Sequence, residues 1–372
     1  IERVSKPNKN GSNFSQSLNL DKIFLDAPNR NPLNFKELHQ KLENIRNYFD
    51  NLSINRSDPV AIVLPNGPDL GFLFIACSCF AISAPLNPNY SKNEFKFYLS
   101  DLKAKFLIVD PDLKTEASKA AFELGITIIN LSFEQNIGSL KLTKNNGDSF
   151  IKTINDYEND TSLLLHTSGT TSKPKLVQLN SSNLIKSSLN IGKTLYLNEE
   201  DSCLNIMPLF HIHGLVAVLL TSLVYNIKLV CTSGFNALNF YKFLQDFKPS
   251  WYSGVPTMHQ AILQRSKNNL DIIRNSPLRF IRSSSASLAS NNFCDLNAIK
   301  CYLITPNHTY LPTEDFFIHM DLLLLERENI QLVHEKAKVL RTFIKTAFPK
   351  SYEIDPNAFS FEIRFMNKHN YF

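Results

Sequence analysis

The sequence contains no hydrophobic run long enough to cross a membrane as a helix. Its longest apolar stretches are residues 72–86 and 215–224 of a 372-residue chain, whereas a membrane-spanning helix needs about 20 apolar residues. No signal peptide opens the chain, which begins with Ile1. We therefore predict a cytoplasmic protein without an integral membrane segment.

Cysteine patterns that bind metals are also missing. The first pair of cysteines lies inside an apolar run, where core packing is the simplest explanation. None of the six has the spacing of a metal site: Cys77, Cys79, Cys203, Cys231, Cys294 and Cys301. This usage fits a reducing cytosol and predicts no cysteine-bound metal.

Charge of either sign is not concentrated anywhere in the chain. The net charge of +5 is spread along the sequence, so it gives no reason to predict a nucleic-acid partner. An apolar content of 43% and a charged content of 20% are typical of a globular protein. The length exceeds one ordinary domain and allows a large core.

The densest group of hydroxyl side chains lies in residues 163–179. The short apolar run at residues 163–165 predicts a buried strand, and a second apolar run at residues 176–179 is strand-like. Hydroxyl residues around one glycine connect them, followed by two lysines that flank Pro174: Thr167, Ser168, Gly169, Thr170, Thr171, Ser172, Lys173 and Lys175. Backbone N–H groups in a concave turn, hydroxyl donors and a cation together suit a polyphosphate. We therefore predict that residues 167–175, the phosphate loop, bind the phosphates of a nucleotide.

The alternative for this segment is a Ser/Thr-rich surface turn with two solvated lysines. The strand-like run on each side and the density of donors around Gly169 weigh against it. A Walker-type loop is excluded, because that loop has a second glycine directly before its Lys-Ser/Thr pair and a helix after it. Here Pro174 and the strand-like residues 176–179 occupy those places.

Apolar strands alternate with amphipathic helices on both sides of the phosphate loop. A polar stretch at residues 134–158 is predicted to be a linker or surface loop. The periodicity predicts helices over residues 34–50, 69–81, 92–102, 182–196 and 237–247, with Ser181 or Ser182 capping the fourth helix. Residues 251–260 lead into a further helix that ends at residue 265, and strands are predicted over 60–64, 106–109 and 228–231. Such alternation is typical of βαβ units, so we predict an α/β fold with mostly parallel sheets.

Two histidines, His211 and His213, lie two positions apart near Gly214. A neutral imidazole can hydrogen-bond a carboxylate and a charged one can pair with it, so both are candidates for an acid-binding pocket. A histidine beside an apolar helix is also commonly a core residue, and both interpretations stay open.

The phosphate loop resembles the Thr-Ser-Gly-Thr-Thr-Gly-x-Pro-Lys signature of the adenylate-forming (AMP-binding) superfamily. Ser172 stands where that signature usually has glycine; this serine is expected in the acyl-CoA synthetase branch that is similar to oxalate–CoA ligases. Further landmarks of the same resemblance are residues 35–38, 61–68 and 85–90. It covers the chain from about Asn34 to Ala289 and implies the N-terminal domain of such an enzyme.

The resemblance also implies ligands for the chain. ATP would bind with its β- and γ-phosphates on the phosphate loop, Mg²⁺ would accompany it, and coenzyme A and a small-molecule carboxylic acid would be co-substrates. The acid would lie near His211 or His213, with His213 favoured. A strand and turn would pack against adenine and the acyl group through Ser284, Ser285, Ala286 and Ser287; a plain Ser-rich turn is the alternative there.

Family motifs are not found after Ala289. Relatives carry an aromatic-Gly-x-Thr-Glu motif whose Thr and Glu hold phosphate and Mg²⁺, and later an adenylation lysine, and neither can be placed in residues 290–372. An amphipathic pattern at residues 330–348 predicts a helix there. We therefore divide the chain into a disordered leader (1–20), an incomplete AMP-binding domain (21–289) and an unassigned, mainly helical tail (290–372).

The predicted function is an AMP-forming acid–CoA ligase, truncated and catalytically impaired. One alternative is a non-catalytic remnant that binds a nucleotide or a partner. Another is an adenylation domain of the peptide-synthetase type, which the segment Pro208–Gly214 argues against.

Overall fold

The computed structural model describes residues 19–144, 157, 160–167 and 174–285, together with the backbone of residues 317–320. The chain divides into two compact units, Ile1–Ser253 and Gly254–Phe372. No helix in the described ranges is both long and apolar enough to span a bilayer. The predicted leader lies almost wholly outside these ranges, as does the helix predicted at residues 330–348.

The described strands follow one another along nearly the whole described chain. In chain order they are β1 (Ile23–Asp26), β2 (Leu33–Asn34), β3 (Pro59–Val63), β4 (Ile82–Pro85), β5 (Phe106–Val109), β6 (Thr127–Phe133), β7 (Leu140–Lys144), β8 (Thr161–Thr167), β9 (Lys175–Asn180), β10 (Ser202–Asn205), β11 (Lys228–Cys231), β12 (Trp251–Gly254), β13 (Phe280–Ser283) and β14 (Phe317–Met320).

Helices alternate with these strands, as the sequence pattern predicts. They are α1 (Phe35–Asn51), α2 (Pro68–Phe80), α3 (Lys92–Asp101), α4 (Ala117–Glu123), α5 (Ser181–Thr194), α6 (Thr221–Val224), α7 (Phe240–Phe247), α8 (Pro256–Leu263) and α9 (Leu270–Arg274). A π-helix spans His213–Leu220 and a 3-10 helix spans Ser266–Asn269.

Two sheets form the first unit. One has the strand order β7-β6-β5-β3-β4-β8-β9, with parallel pairs in its centre and an antiparallel pair at each edge. The other places β12, β10, β11, β1 and β2 side by side, parallel except for β2. In the second unit β13 pairs with β14 in parallel. The α/β class with mostly parallel sheets is therefore confirmed.

Helix α1 shows how the sequence determines an element in this chain. Asn34 caps its start by accepting a hydrogen bond from the Glu37 N–H at 2.7 Å, and the Glu37 side chain returns a contact to the Asn34 N–H. Such a capping box satisfies two of the free N–H groups at a helix start. The apolar residues at three- and four-residue steps, among them Leu38, Leu42 and Ile45, are buried. The helix predicted at residues 34–50 is confirmed.

Some boundaries differ from the predictions. The helix predicted to run to residue 81 ends at Phe80, and β4 begins two residues later. Residues 72–86 are apolar except for Ser78 and Ser83, so nothing in their pattern marks this change from helix to strand. Helix α7 begins at Phe240 rather than 237. Helix α5 is capped by Asn180, which accepts from the Asn183 N–H at 2.8 Å, rather than by Ser181 or Ser182.

The linker predicted at residues 134–158 is wrong in its first part. Strand β7 lies there and pairs antiparallel with β6 at the sheet edge. Its side chains alternate between buried and exposed positions, with Leu142 buried and Lys141 exposed. That alternation extends over only five residues between polar neighbours, so the composition of the stretch conceals it.

Candidate functional site

The two strands predicted around the phosphate loop form an antiparallel hairpin. Thr167, the last residue of β8, lies opposite Lys175, the first residue of β9. Strand β8 is buried from Thr161 to Leu165 and becomes exposed at Thr167, and Lys175 is exposed as well. The structure thus brings a hydroxyl and a cation together at an exposed strand end. Residues 168–173, which include the other predicted phosphate ligands, lie outside the described residues.

The start of β8 is held by the half-buried Arg56. Its guanidinium donates to the carbonyl oxygens of Ala81 and Thr161, the latter at 3.0 Å. It also donates to the hydroxyls of Ser162 at 2.5 Å and Ser181 at 3.2 Å. A guanidinium presents five donors in a rigid fork, so one side chain joins the residue between α2 and β4, the start of β8 and the start of α5.

His166, next to Thr167, is a candidate that sequence reasoning missed. Its side chain is only 5% exposed, and its Nε2 lies 2.9 Å from Oδ2 of Asp101 at the end of α3. The ring meets that of Tyr98 edge-on, at a centroid distance of 4.7 Å. The only sequence signal is a histidine directly after a buried apolar run, and the run does not reveal a partner 65 residues away.

Asn66 holds the segment that leads to His211 and His213. Its Oδ1 accepts from the Leu209 N–H at 2.7 Å, and its Nδ2 donates to the Thr232 carbonyl at 3.1 Å. Gly214 is required by sterics, because a Cβ at this position would lie 2.3 Å from the Pro208 oxygen. The chain therefore turns back tightly between Pro208 and Gly214, which places the two histidines in different surroundings.

His211 is exposed, whereas His213 is buried at the start of the π-helix. Partial removal from water lowers the pKa of His211 below its usual value of 6.5, which favours the neutral ring at neutral pH. The Nε2 of His213 lies 2.6 Å from the Ser253 hydroxyl. Of the two predicted acid-binding residues, His211 is the one that a dissolved carboxylate reaches without displacing core side chains.

The second unit contains the predicted adenine and acyl segment. Ser284 is buried and its N–H donates to the Gly254 carbonyl at 3.2 Å. Ser285 is exposed and has a left-handed backbone with φ of 71°, a conformation that is uncommon for residues other than glycine. Ala286 and Ser287 lie outside the described residues.

His259, in the same unit, is completely buried. Burial lowers its pKa to about 4, although hydrogen bonds to the backbone of Gly254 and Arg282 act in the opposite direction. The ring is therefore neutral at pH 7. A Cβ on Gly254 would lie only 3.1 Å from its Cε1, so the glycine leaves room for the ring. This setting matches a structural histidine.

Metal ligands and cavities add little to these candidates. Among the described residues, no group of three or more His, Cys, Asp or Glu side chains could hold a metal ion, so we assign no protein ligand to Mg²⁺. An open cleft of about 520 Å³ is lined by Pro88, Asn89, Tyr90, Lys114, Thr115, Glu116 and Lys119. It contains none of the predicted site residues.

Comparison with known proteins adds a family and a fold. Residues 16–322 match the AMP-binding enzyme family. The match runs past Ala289, where the sequence motifs stop, and the domain boundary at that residue stays a prediction. The oxalate–CoA ligase of Arabidopsis thaliana is 36% identical over 276 residues, which are 72% of this chain and 54% of that protein. A probable CoA ligase of Humulus lupulus is 38% identical over 68% of this chain and 50% of its own length.

Solved structures are similar at the level of the fold. ATP-bound MatB from Rhodopseudomonas palustris has a TM-score of 0.64 at 20% identity, over 77% of this chain and 56% of that one. The o-succinylbenzoate CoA synthetase of Bacillus subtilis, in complex with an acyl-adenylate, has a TM-score of 0.62 at 23% identity, over 76% and 55%. The chain spans about half the length of the curated relatives that it matches.

Proposed function

The chain belongs to the AMP-binding enzyme family, and we propose that it acts as an AMP-forming acid–CoA ligase. The observation that carries this proposal is the exposed end of the β8–β9 hairpin, where Thr167 and Lys175 lie opposite each other. A hydroxyl donor and an ammonium group at this position suit the negative oxygens of a triphosphate. The similarity to oxalate–CoA ligases supports the same reaction class.

The proposed reaction has two steps that balance without a redox partner. An oxygen of the ionised acid attacks the α-phosphorus of ATP, and the bond from that phosphorus to the bridging oxygen breaks. The products of this step are an acyl-adenylate and pyrophosphate. The thiol sulfur of coenzyme A then attacks the acyl carbon, loses its proton to solvent, and releases AMP. The first step depends mainly on positioning and charge neutralisation, which Lys175 and Thr167 would provide for the departing phosphates.

For the acid we propose a contact with His211 rather than His213. His211 is exposed, whereas the Nε2 of His213 already interacts with Ser253. A neutral His211 ring donates one hydrogen bond to a carboxylate oxygen without neutralising the charge that makes this oxygen nucleophilic.

A second candidate is a nucleotide-binding protein with little ligase activity. It is favoured by residues 290–372, where neither the aromatic-Gly-x-Thr-Glu motif nor the adenylation lysine can be placed. Loss of a metal ligand or a catalytic cation typically costs about 3–4 kcal/mol of transition-state stabilisation for each. This candidate predicts nucleotide binding with slow turnover.

Pyrophosphate release separates the two candidates. The purified chain is incubated with ATP, Mg²⁺ and a panel of acids that includes oxalate, sulfoacetate and 2-succinylbenzoate, and ATP binding is measured in parallel by calorimetry. The ligase predicts acid-dependent pyrophosphate release that Lys175→Ala abolishes. Lys141→Ala, at an exposed position on β7, is the matched control and should release pyrophosphate as the unmodified chain does. ATP binding without release supports the second candidate, and absence of both overturns the proposal.

A further inference from the structure

His166 is held in place by one carboxylate. The Asp101 carboxylate can only accept a hydrogen bond, so Nε2 of His166 is the protonated nitrogen in this 2.9 Å contact. The other ring nitrogen, Nδ1, is buried and forms no hydrogen bond with any residue that the structure describes. Within the described chain, the ring is therefore oriented by Asp101 and by packing alone.

The position of Asp101 is unfavourable for its own helix. It is the last residue of α3, and the last turn of that helix has no basic residue. A carboxylate at a helix C-terminus faces the negative end of the helix dipole, which is destabilising. Its side chain is 43% exposed while that of His166 is 5% exposed. The contact with His166 gives the Asp101 carboxylate a hydrogen-bond donor at this position.

Packing completes the link between α3 and β8. The Tyr98 ring of α3 lies edge-on to the His166 ring at 4.7 Å and is stacked on Tyr90 at 4.5 Å. Phe97 is the more distant neighbour, at 6.3 Å. Ring contacts of this kind fix the plane of the imidazole, while the hydrogen bond to Asp101 fixes its rotation within that plane.

The register of the hairpin connects this arrangement to the proposed phosphate ligands. His166 lies opposite Leu176 in the antiparallel pair, and the next pair is Thr167 opposite Lys175. A shift of the His166 backbone therefore moves both members of the following pair. Misplacement of a binding group by about 1 Å can cost two orders of magnitude in rate, so the support of this strand end has consequences for function.

We propose that His166 and Asp101 are positioning residues that set Thr167 and Lys175 for the phosphates of ATP. This inference rests on the proposed function, because it presupposes that ATP binds at the hairpin end. Neither residue touches the nucleotide. Asp101 acts by holding the His166 ring, and the ring acts by holding the end of β8.

The test compares Asp101→Ala with Asp101→Asn and His166→Phe. Alanine removes the acceptor, asparagine retains an acceptor oxygen, and phenylalanine keeps a ring without Nε2. We expect Asp101→Ala and His166→Phe to weaken ATP binding, measured by calorimetry, about tenfold, because displacement of Thr167 and Lys175 weakens their contacts with the phosphates; this is less than the roughly hundredfold cost in rate of a misplacement of about 1 Å. Asp101→Asn should stay within about twofold of the unmodified protein, since its oxygen still accepts from Nε2.

Asp246→Ala is the matched control. Asp246 lies near the end of helix α7, is 42% exposed, and pairs with Lys242 at 2.8 Å. It thus matches Asp101 in exposure and in its place near a helix end, but its partner lies on its own helix rather than on β8. It should leave ATP affinity unchanged. Where turnover is measurable, Asp101→Ala should raise the KM for ATP and leave the KM for the acid unchanged, a split that general loss of structure would not produce.

The outcomes separate this inference from the proposed function. Unchanged ATP affinity in both Asp101→Ala and His166→Phe overturns the positioning role, as does an equal rise in KM for ATP and for the acid. Weakened affinity in both variants with recovery in Asp101→Asn supports it. If the unmodified protein does not bind ATP, the proposed function fails, and this failure is visible before any variant is made.

Discussion

Strand β8 is supported in different ways at its two ends. At its start, Arg56 donates four hydrogen bonds to backbone carbonyls and serine hydroxyls on neighbouring elements. At its end, Thr167 and Lys175 are exposed, and the nearest support is the contact of His166 with Asp101. This difference indicates that the start serves folding and the end is available for binding. Substitutions should therefore change the free energy of unfolding at one end and ligand affinity at the other.

Arg56→Ala should have the largest effect. It leaves the carbonyls of Ala81 and Thr161 without this donor inside the protein, and an unpaired buried polar group costs about 1–3 kcal/mol. We expect the free energy of unfolding, measured by urea denaturation, to fall by about 3 kcal/mol. Arg46→Ala is the control, because Arg46 is 56% exposed and forms a surface pair with Glu43 at 3.6 Å. This substitution should change stability by less than about 0.5 kcal/mol. Equal losses of stability in Arg56→Ala and Arg46→Ala would contradict a folding role for the start of β8.

Lys175→Ala should produce the opposite pattern at the other end of the strand. Its side chain is exposed and contributes little to the core, so stability should change by less than about 0.5 kcal/mol. Loss of a charge-assisted contact to phosphate costs about 2 kcal/mol, or roughly a thirtyfold rise in the Kd for ATP. Calorimetric titration with ATP measures the Kd of the variant and of the unmodified chain. A Kd within threefold of the unmodified chain would show that the lysine does not hold phosphate.

The second unit also contains a residue that supports folding. Like Arg56, His259 interacts with backbone groups, and its side chain is buried. Its pKa of about 4 in the folded protein lies below the unfolded value of about 6.5. The unfolded chain therefore binds the extra proton, and stability is complete above pH 6.5 and lost as pH falls towards 4. This residue should contribute a loss of about 2 kcal/mol between pH 7 and pH 5.

Urea denaturation of His259→Asn at both pH values measures that contribution. Other groups titrate in the same range, so the relevant quantity is the difference in pH dependence between the variant and the unmodified chain. We expect the variant to lose about 2 kcal/mol less between pH 7 and pH 5, whatever its stability at pH 7. Parallel curves would mean that His259 is not the group whose protonation opposes folding.

The sequence predicted the strands around the phosphate loop well, because their apolar runs are short and bounded by polar or turn residues. It failed where two elements share one apolar run, as at the junction of α2 and β4, since burial on all sides removes the periodicity that distinguishes helix from strand. It also placed both histidines in one candidate pocket. Periodicity gave no means of learning that His213 starts a π-helix and that His211 remains exposed.

The supports of the candidate site were beyond sequence reasoning for a different reason. Asp101 and Arg56 act on β8 from positions 65 and 105 residues earlier in the chain, respectively. Each stands in a polar stretch where a charged residue is unremarkable. Only the parallel order of β5, β3, β4 and β8 brings them to the two ends of the same strand. Motifs therefore predicted the residues that we propose touch the ligand, whereas the sheet order showed which residues support the strand that carries them.

Thr167→Val gives the smallest expected effect and the finest test of the exposed end. Valine has nearly the same shape and strand propensity as threonine, so β8 should end as before, and stability should be unchanged within about 0.5 kcal/mol. Loss of one hydroxyl donor should raise the Kd for ATP about fivefold, and Thr167→Ser should restore it. If Thr167→Val binds ATP as tightly as the unmodified chain while Lys175→Ala binds it more weakly, the cation alone recognises the phosphates. The Thr167 hydroxyl would then make no contribution to ATP binding.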